Sequence, residues 1–312
     1  MKYLYSTNLQ KPSRTIHNAK NHIIDVDTTP RGIFIRISSS PVHSPTISAD
    51  KIQRFQQKVF SFYQHYGREL PWRNTTDPYK ILVSELMLQQ TQVTHVIPYY
   101  ERWIVQWPTL NRLASASRAE VLKAWMGLGY NTRALHLHQA VQKIDADYDG
   151  DVIAAMKQYQ EIPGVGRYTA HAVQIFSTNM DLVTVDTNIR RILIAEFHLG
   201  EDLSTKELWA VAEACLPQGR SREWHNALMD YGALQQTAKK TGIRPISQQS
   251  QFEGSDRQLR AAILRLLLND PSSFTTIHRV LDGDQQRLKK ILNKMVDEEL
   301  LVMQNKFYHV KE

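Results

Sequence analysis

Between Ser48 and about Ala238 the apolar positions recur at helical spacing, almost without interruption. In "SADKIQRFQQKVFSFYQHYG" the residues Ile52, Phe55, Val59, Phe60 and Tyr63 share one face, with Ser48 as N-cap and Gly67 as stop. "DPYKILVSELMLQQ" predicts a helix capped by Asp77, with Pro78 at its first position. "SRAEVLKAWMGLGY" and "STKELWAVAEACLP" each place Glu three residues after Ser, a capping box at Ser117/Glu120 and again at Ser204/Glu207. Residues 1–47 have no sustained period and read as a poorly ordered N-terminal extension. Within them "DVDTTPRGIFIRIS" has strand character but no convincing partner nearby. Residues 239–253 break the helical pattern and read as a linker. From residue 254 three amphipathic helices and a two-stranded wing, turning at Gln304–Asn305, predict a small winged-helix-like domain over 254–312. The fold class expected is therefore mainly α, with the principal domain over 48–238.

Composition narrows this little. The 312 residues are 42% hydrophobic, enough for real cores. No run of 18 apolar residues stands in the sequence, so no membrane span is expected, and the start lacks a secretory apolar region. The single cysteine, Cys215, cannot form a disulfide or an all-cysteine metal site within the chain, which fits a reducing, intracellular setting. The net charge of +7 favours a polyanionic partner. Its distribution weakens that inference, because residues 1–49 hold +4, residues 50–252 hold +2 and residues 253–312 hold +1.

Candidate chemistry begins at "EIPGVGRYTAHAV", Glu161–Val173, a glycine turn between a helix of about Val152–Gln160 and another starting near Arg167. Glycines there permit backbone that a Cβ would block, and amides at the start of the second helix can face an anion. The spacing alone also fits a plain interhelical turn. Glu85 lies mid-helix among Ile81, Leu82, Leu86, Met87 and Leu88. It is either a surface residue on a polar stripe or an enclosed, functional carboxyl. Asp186 follows "LVTV" and precedes "TNIRRILIAEF", where an N-cap is the plain reading.

The motifs "LPWR", "SELMLQQTQV", "IPYYERW", "GLGYNTRALHLH", "IPGVGRYTAHAV", "VDTNIRRIL" and "WHNALMDYGA" stand in that order between about Phe55 and Ala233. The ordered set resembles the helix-hairpin-helix DNA glycosylase superfamily of endonuclease III, and its MutY-type adenine-excising branch. The resemblance implies two helical subdomains with the active site in the cleft between them. It implies that Gly164, Val165 and Gly166 hold a DNA phosphate through backbone N–H groups, with a monovalent cation as a further option at the hairpin. Such enzymes flip the target base out of the duplex and break its C1′–N bond through an oxocarbenium-like sugar. By the same resemblance Glu85 is the general acid that protonates adenine at N7, and a raised pKa would suit it. Asp186 stabilises the sugar cation, and Asn188 holds the geometry of Asp186. Tyr168 stands where bifunctional members carry a Schiff-base lysine, which implies a monofunctional, hydrolytic enzyme. Gln89, Gln90 and Thr91 match a loop inserted into the duplex, and Tyr130 matches an aromatic beside the orphan base. Trp72 and Arg73 are carried over as pocket- and DNA-side residues, a core position for Trp72 being the equal alternative.

Two departures matter. Many relatives end the domain with four cysteines on an iron–sulfur cluster, whereas this chain reads "LQQTAKKTGIRPISQQSQF". It resembles clusterless members, with Lys239, Lys240, Arg244 or the last domain standing in for the cluster, and no required cofactor. The large Nudix-like reader of 8-oxoguanine typical of such enzymes is not expected in these residues, and the winged-helix unit offers Arg287, Lys290 and Lys294 on its third helix as candidates for DNA, a protein-interaction or packing role being the alternative at a balance of only +1. The function expected is removal of adenine opposite guanine or 8-oxoguanine from double-stranded DNA, by a monomer. Thymine or uracil mismatch excision on the same scaffold, or a catalytically idle DNA-binding protein, are the alternatives.

Overall fold

The computed structural model describes residues 14–17, 23–29, 32–38, 46–245 and 251–311. These form two compact units, each assembled from two separated stretches of chain: 1–68 with 179–246, and 69–178 with 247–312. This is not the serial division that composition predicts.

The first unit opens with a four-stranded antiparallel sheet, β1 (Arg14–His17), β2 (Ile23–Thr29), β3 (Gly32–Ser38) and β4 (Thr46–Ile47), in sequential order. The extension expected to lack partners is thus corrected at these strands: the "IIDVDTT" run pairs along its whole length with "GIFIRIS". The rest of residues 1–45 lies outside the described residues. Ile47, 1% exposed, belongs to the unit's core. Helices α1 (Ala49–Tyr66), α9 (Thr187–Phe197), α10 (Thr205–Ala214), α11 (Ser221–Asp230) and α12 (Ala238–Thr241) complete the unit. Phe55 of α1 meets Phe197 at 5.2 Å and Trp224 at 5.4 Å, both edge-on. Burying one such ring contributes about 1.5–3 kcal/mol. Between α11 and α12 the backbone widens into a π-turn over Tyr231–Gln235.

The second unit centres on α2 (Pro78–Leu88), whose residues 81–87 are all buried. Around it lie α3 (Val93–Gln106), α4 (Leu110–Ala114), α5 (Arg118–Trp125), α6 (Thr132–Tyr148), α7 (Val152–Lys157) and α8 (Arg167–Thr178). α7 is shorter than predicted, and a 3₁₀ turn over Tyr159–Glu161 carries the chain towards the glycines. The predicted caps are present: Asp77 accepts from Tyr79 N–H at 2.9 Å, and both Ser/Glu capping boxes are closed. The last stretch holds α13 (Asp256–Leu267), β5 (Ser272–Ser273), α14 (Phe274–Leu281), α15 (Gln285–Asp297), β6 (Leu301–Gln304) and β7 (Phe307–Val310). It has the winged-helix order, with a third strand, β5, that was too short to read in the sequence. The wing turns one residue later than expected, at Asn305 and Lys306, whose φ of 51° and 69° make the left-handed pair a tight hairpin needs. Among the described residues no helix is long and apolar enough to cross a membrane.

Candidate active site

Glu85 is 7% exposed, so it is not a surface residue on a polar stripe. Its helix is apolar on nearly every side, and the packing that buries Leu82 and Leu86 carries Glu85 inward with them. Glu85 belongs to the second unit and Asp186 to the first.

Asp186 caps α9. Its Oδ1 accepts from Ile189 N–H at 2.7 Å, and its Oδ2 accepts from Asn188 Nδ2 at 2.9 Å. Asn188 is held in turn, because its Oδ1 accepts from Arg191 Nη2 at 2.6 Å. Arg191 also donates to Gly232 O at 3.1 Å and, through Nε, to Gln236 O at 2.6 Å, both in or beside the π-turn. Gly232 makes this approach feasible, since a Cβ there would lie 3.0 Å from the Asn188 side chain. On the other side, buried His225 accepts from Thr184 N–H at 3.2 Å and donates from Nδ1 to Ser221 O at 2.7 Å. That fixes the segment leading into Asp186. Asp186 is half-buried as a residue, and the protein packed around its carboxyl pushes the pKa above the ordinary value. The donated hydrogen bonds and Arg191 oppose that rise. Arg191 and Gly232 are neighbours of this candidate carboxyl that sequence reasoning missed. "NIRR" offers two arginines, and only the fold decides which one turns towards Asn188.

A second buried arginine was also missed. Arg133 Nη1 donates to Leu86 O (2.8 Å), Met87 O (2.9 Å) and Gln89 O (2.6 Å), while Nη2 donates to Thr91 Oγ1 (3.1 Å), Leu128 O (3.3 Å) and Gly129 O (3.0 Å). It satisfies the orphan carbonyls at the end of α2 and ties the Gln89–Thr91 loop to the Gly127–Asn131 loop. Burial pushes its pKa down to about 10, with Tyr130 acting in the opposite sense. Both loops are tightly turned: Gln90 and Tyr130 have φ of 56° and 50°. Gln90 is exposed, while Gln89 reaches Thr169 Oγ1 at 3.4 Å.

In the hairpin, Gly164 has φ +70°, and a Cβ there would strike the Cβ of His136 at 2.4 Å. Gly166 differs: its φ is ordinary and the space around it is open, so the expectation that a Cβ is blocked holds only at Gly164. Of the three amides expected as donors, that of Val165 is used within the turn, donating to Ile162 O at 3.2 Å. Gly164 and Gly166 are exposed, and their amides donate no hydrogen bond among the described residues. Tyr168 sits half-buried in the first turn of α8. Trp72 is a core residue, 8% exposed and edge-on to Tyr100 at 5.4 Å, and its neighbour Arg73 is half-buried. Cys215 is buried at the end of α10, and burial raises the pKa of its thiol.

Residues 83–216 match the model of the HhH-GPD superfamily of base excision DNA repair proteins. The adenine DNA glycosylase of Mycolicibacterium smegmatis is 36% identical over 239 residues, which cover 70% of this chain and 82% of that protein. The chain belongs to the HhH-GPD superfamily, among its adenine DNA glycosylases. Human adenine DNA glycosylase is 34% identical over 72% of this chain, which spans only 42% of the human protein. Of solved structures, a thermostable thymine-DNA glycosylase is 29% identical, with a TM-score of 0.56 over 62% of this chain and 94% of that one. A non-covalent endonuclease III–DNA complex has a TM-score of 0.55 over 62% of this chain and 89% of that one, at 18% identity. This HhH-GPD member thus shares the endonuclease III fold.

Proposed function

We propose that this HhH-GPD protein is a monofunctional adenine DNA glycosylase that acts on adenine mispaired with guanine or 8-oxoguanine in double-stranded DNA. The observation that carries the reading is the held carboxylate of Asp186, two donors on its oxygens and Arg191 behind them. A carboxylate so fixed suits a sugar that becomes cationic as its base departs. Glu85 donates a proton to adenine, the C1′–N bond breaks, and water supplies the hydroxyl at C1′. Tyr168 cannot form an imine, so no strand cleavage follows from that position. Gly164 and Gly166 offer amides to a phosphate, and Gln90 and Tyr130 enter the duplex beside the vacated position. Thymine or uracil excision is the second reading, favoured by the likeness to a thymine-DNA glycosylase. One assay separates them: alkali-induced strand cleavage after incubation with A:8-oxoG, A:G, T:G and U:G duplexes. Release from the first two pairs alone supports adenine excision, and release from T:G or U:G alone rejects it.

A further inference from the structure

The winged-helix stretch was expected to meet DNA through its third helix. Of the three cations expected there, two have partners within the chain, while Lys290 is exposed with none among the described residues. Arg287 is bound internally, to Asp256 at 2.8 Å and to Gly254 O at 2.7 Å. Lys294 lies 3.9 Å from Glu298. The cations of α13 are placed differently. Arg257, Arg260 and Arg265 line a cavity of about 710 Å³ whose other wall is the loop pair held by Arg133. Both walls belong to the same compact unit. Among the described residues no carboxylate lines the cavity, although Arg260 is paired with Glu298. Arg265 is exposed and makes no ion pair or hydrogen bond among the described residues. Two aromatic faces stand beside the cations. The guanidinium of Arg257 lies 5.3 Å from the Tyr130 ring and 5.9 Å from the Phe252 ring, and its Nη1 donates to Tyr130 Oη at 2.9 Å. Phe252 is 53% exposed.

The unpartnered cation of Arg265, the exposed aromatic surface and the lack of a lining carboxylate among the described residues describe a site for a phosphodiester with a base attached. We propose that α13 and the Gly127–Asn131 loop form a second DNA-binding pocket, which takes one unstacked nucleotide of the strand that Tyr130 enters. Arg265 meets the phosphate and Phe252 the base, while Arg257 is a positioning residue that sets the Tyr130 ring. The volume lies within the range of sites that enclose a small ligand. α13, rather than α15, is then the DNA-facing helix of the winged-helix stretch. This inference rests on the glycosylase reading for its ligand, but its test does not depend on catalysis.

The test is binding of the full-length protein to a duplex with a non-cleavable adenine analogue opposite guanine, measured by fluorescence anisotropy across a salt series. Phe252→Ala should weaken binding roughly tenfold, the scale of one lost base–aromatic stack. Arg265→Ala should weaken it and lower the slope of log K against log salt by about one, and Arg265→Lys should restore that slope. Lys290→Ala, at an exposed position of α15, should bind as the parent protein does. All three residues are exposed, and circular dichroism checks the fold. Unchanged affinity and slope in Phe252→Ala and Arg265→Ala would overturn the proposal, whether or not Lys290→Ala binds more weakly. Excision from a cleavable A:G duplex is followed separately. Pocket-dependent binding without excision would reject the glycosylase reading and leave the pocket standing.

Discussion

Glu85 and Asp186 are two carboxyl groups in different surroundings, and their tests differ accordingly. Glu85→Gln keeps the shape and the hydrogen-bonding capacity of the side chain but loses the acidic proton. Single-turnover adenine release should fall about 10²–10⁴-fold while DNA affinity stays near that of the parent. Near-normal release would remove Glu85 from the mechanism. In the proposed mechanism Asp186 acts as an anion, so activity should fall on the acid side as it takes up a proton. Burial places that limb above the ordinary carboxylate value, and the Asn188 hydrogen bond opposes the shift. Asn188→Ala should therefore move the acid limb of the single-turnover pH profile to higher pH. A limb that stays in place or moves down would assign it to another group. Linkage runs with the same sign: the raised Asp186 pKa favours the folded state fully below the unfolded value, and this contribution is lost as pH rises through the folded one. The cap at Asp186 was legible, because an aspartate before "TNIRRIL" has a local partner in the backbone. The burial of Glu85 was not. In a helix apolar all round, periodicity cannot say which side faces solvent, and only the packing of α8, α6 and α3 around α2 decides.

At the scale of elements, the two hairpin glycines make a matched pair of probes. Gly164→Ala forces a side chain into left-handed backbone and against His136, and should cost about 1–3 kcal/mol of stability. Gly166→Ala meets nothing within 4 Å, so its melting temperature should match the parent. If a phosphate seats on this amide, the added methyl should still weaken DNA binding several-fold. Thermal unfolding and anisotropy together check both outcomes, and unaltered affinity in Gly166→Ala would remove the phosphate from that turn. Capping boxes and helix starts were readable because each depends on residues three or four apart. The pairing of β2 with β3 was readable only in part: the alternation of "GIFIRIS" is plain, but the Asp and Thr residues of its partner mask a strand. The contact of Arg257 with Tyr130 joins positions 127 residues apart, and no local pattern carries that information.

For the whole molecule, the lone buried Cys215 leaves no set of cysteines for an iron–sulfur cluster. The purified protein should lack visible cluster absorbance, and chelators should not shift its unfolding temperature. Stoichiometric iron in elemental analysis would contradict this and point to other ligands. The interleaved chain has a further consequence, for synthesis. Helix α1 belongs with Phe197 and Trp224, but residues 69–178 must be made before either partner exists. At about 5–20 residues per second, those 110 residues take roughly 6–22 s. During that interval the inserted stretch can begin to collapse on itself, while Ile52, Phe55 and Val59 remain an uncovered apolar stripe on the nascent chain. The order of translation therefore makes α1 the segment most in need of a holding chaperone, and nonsense products ending near residue 178 the ones most prone to aggregate.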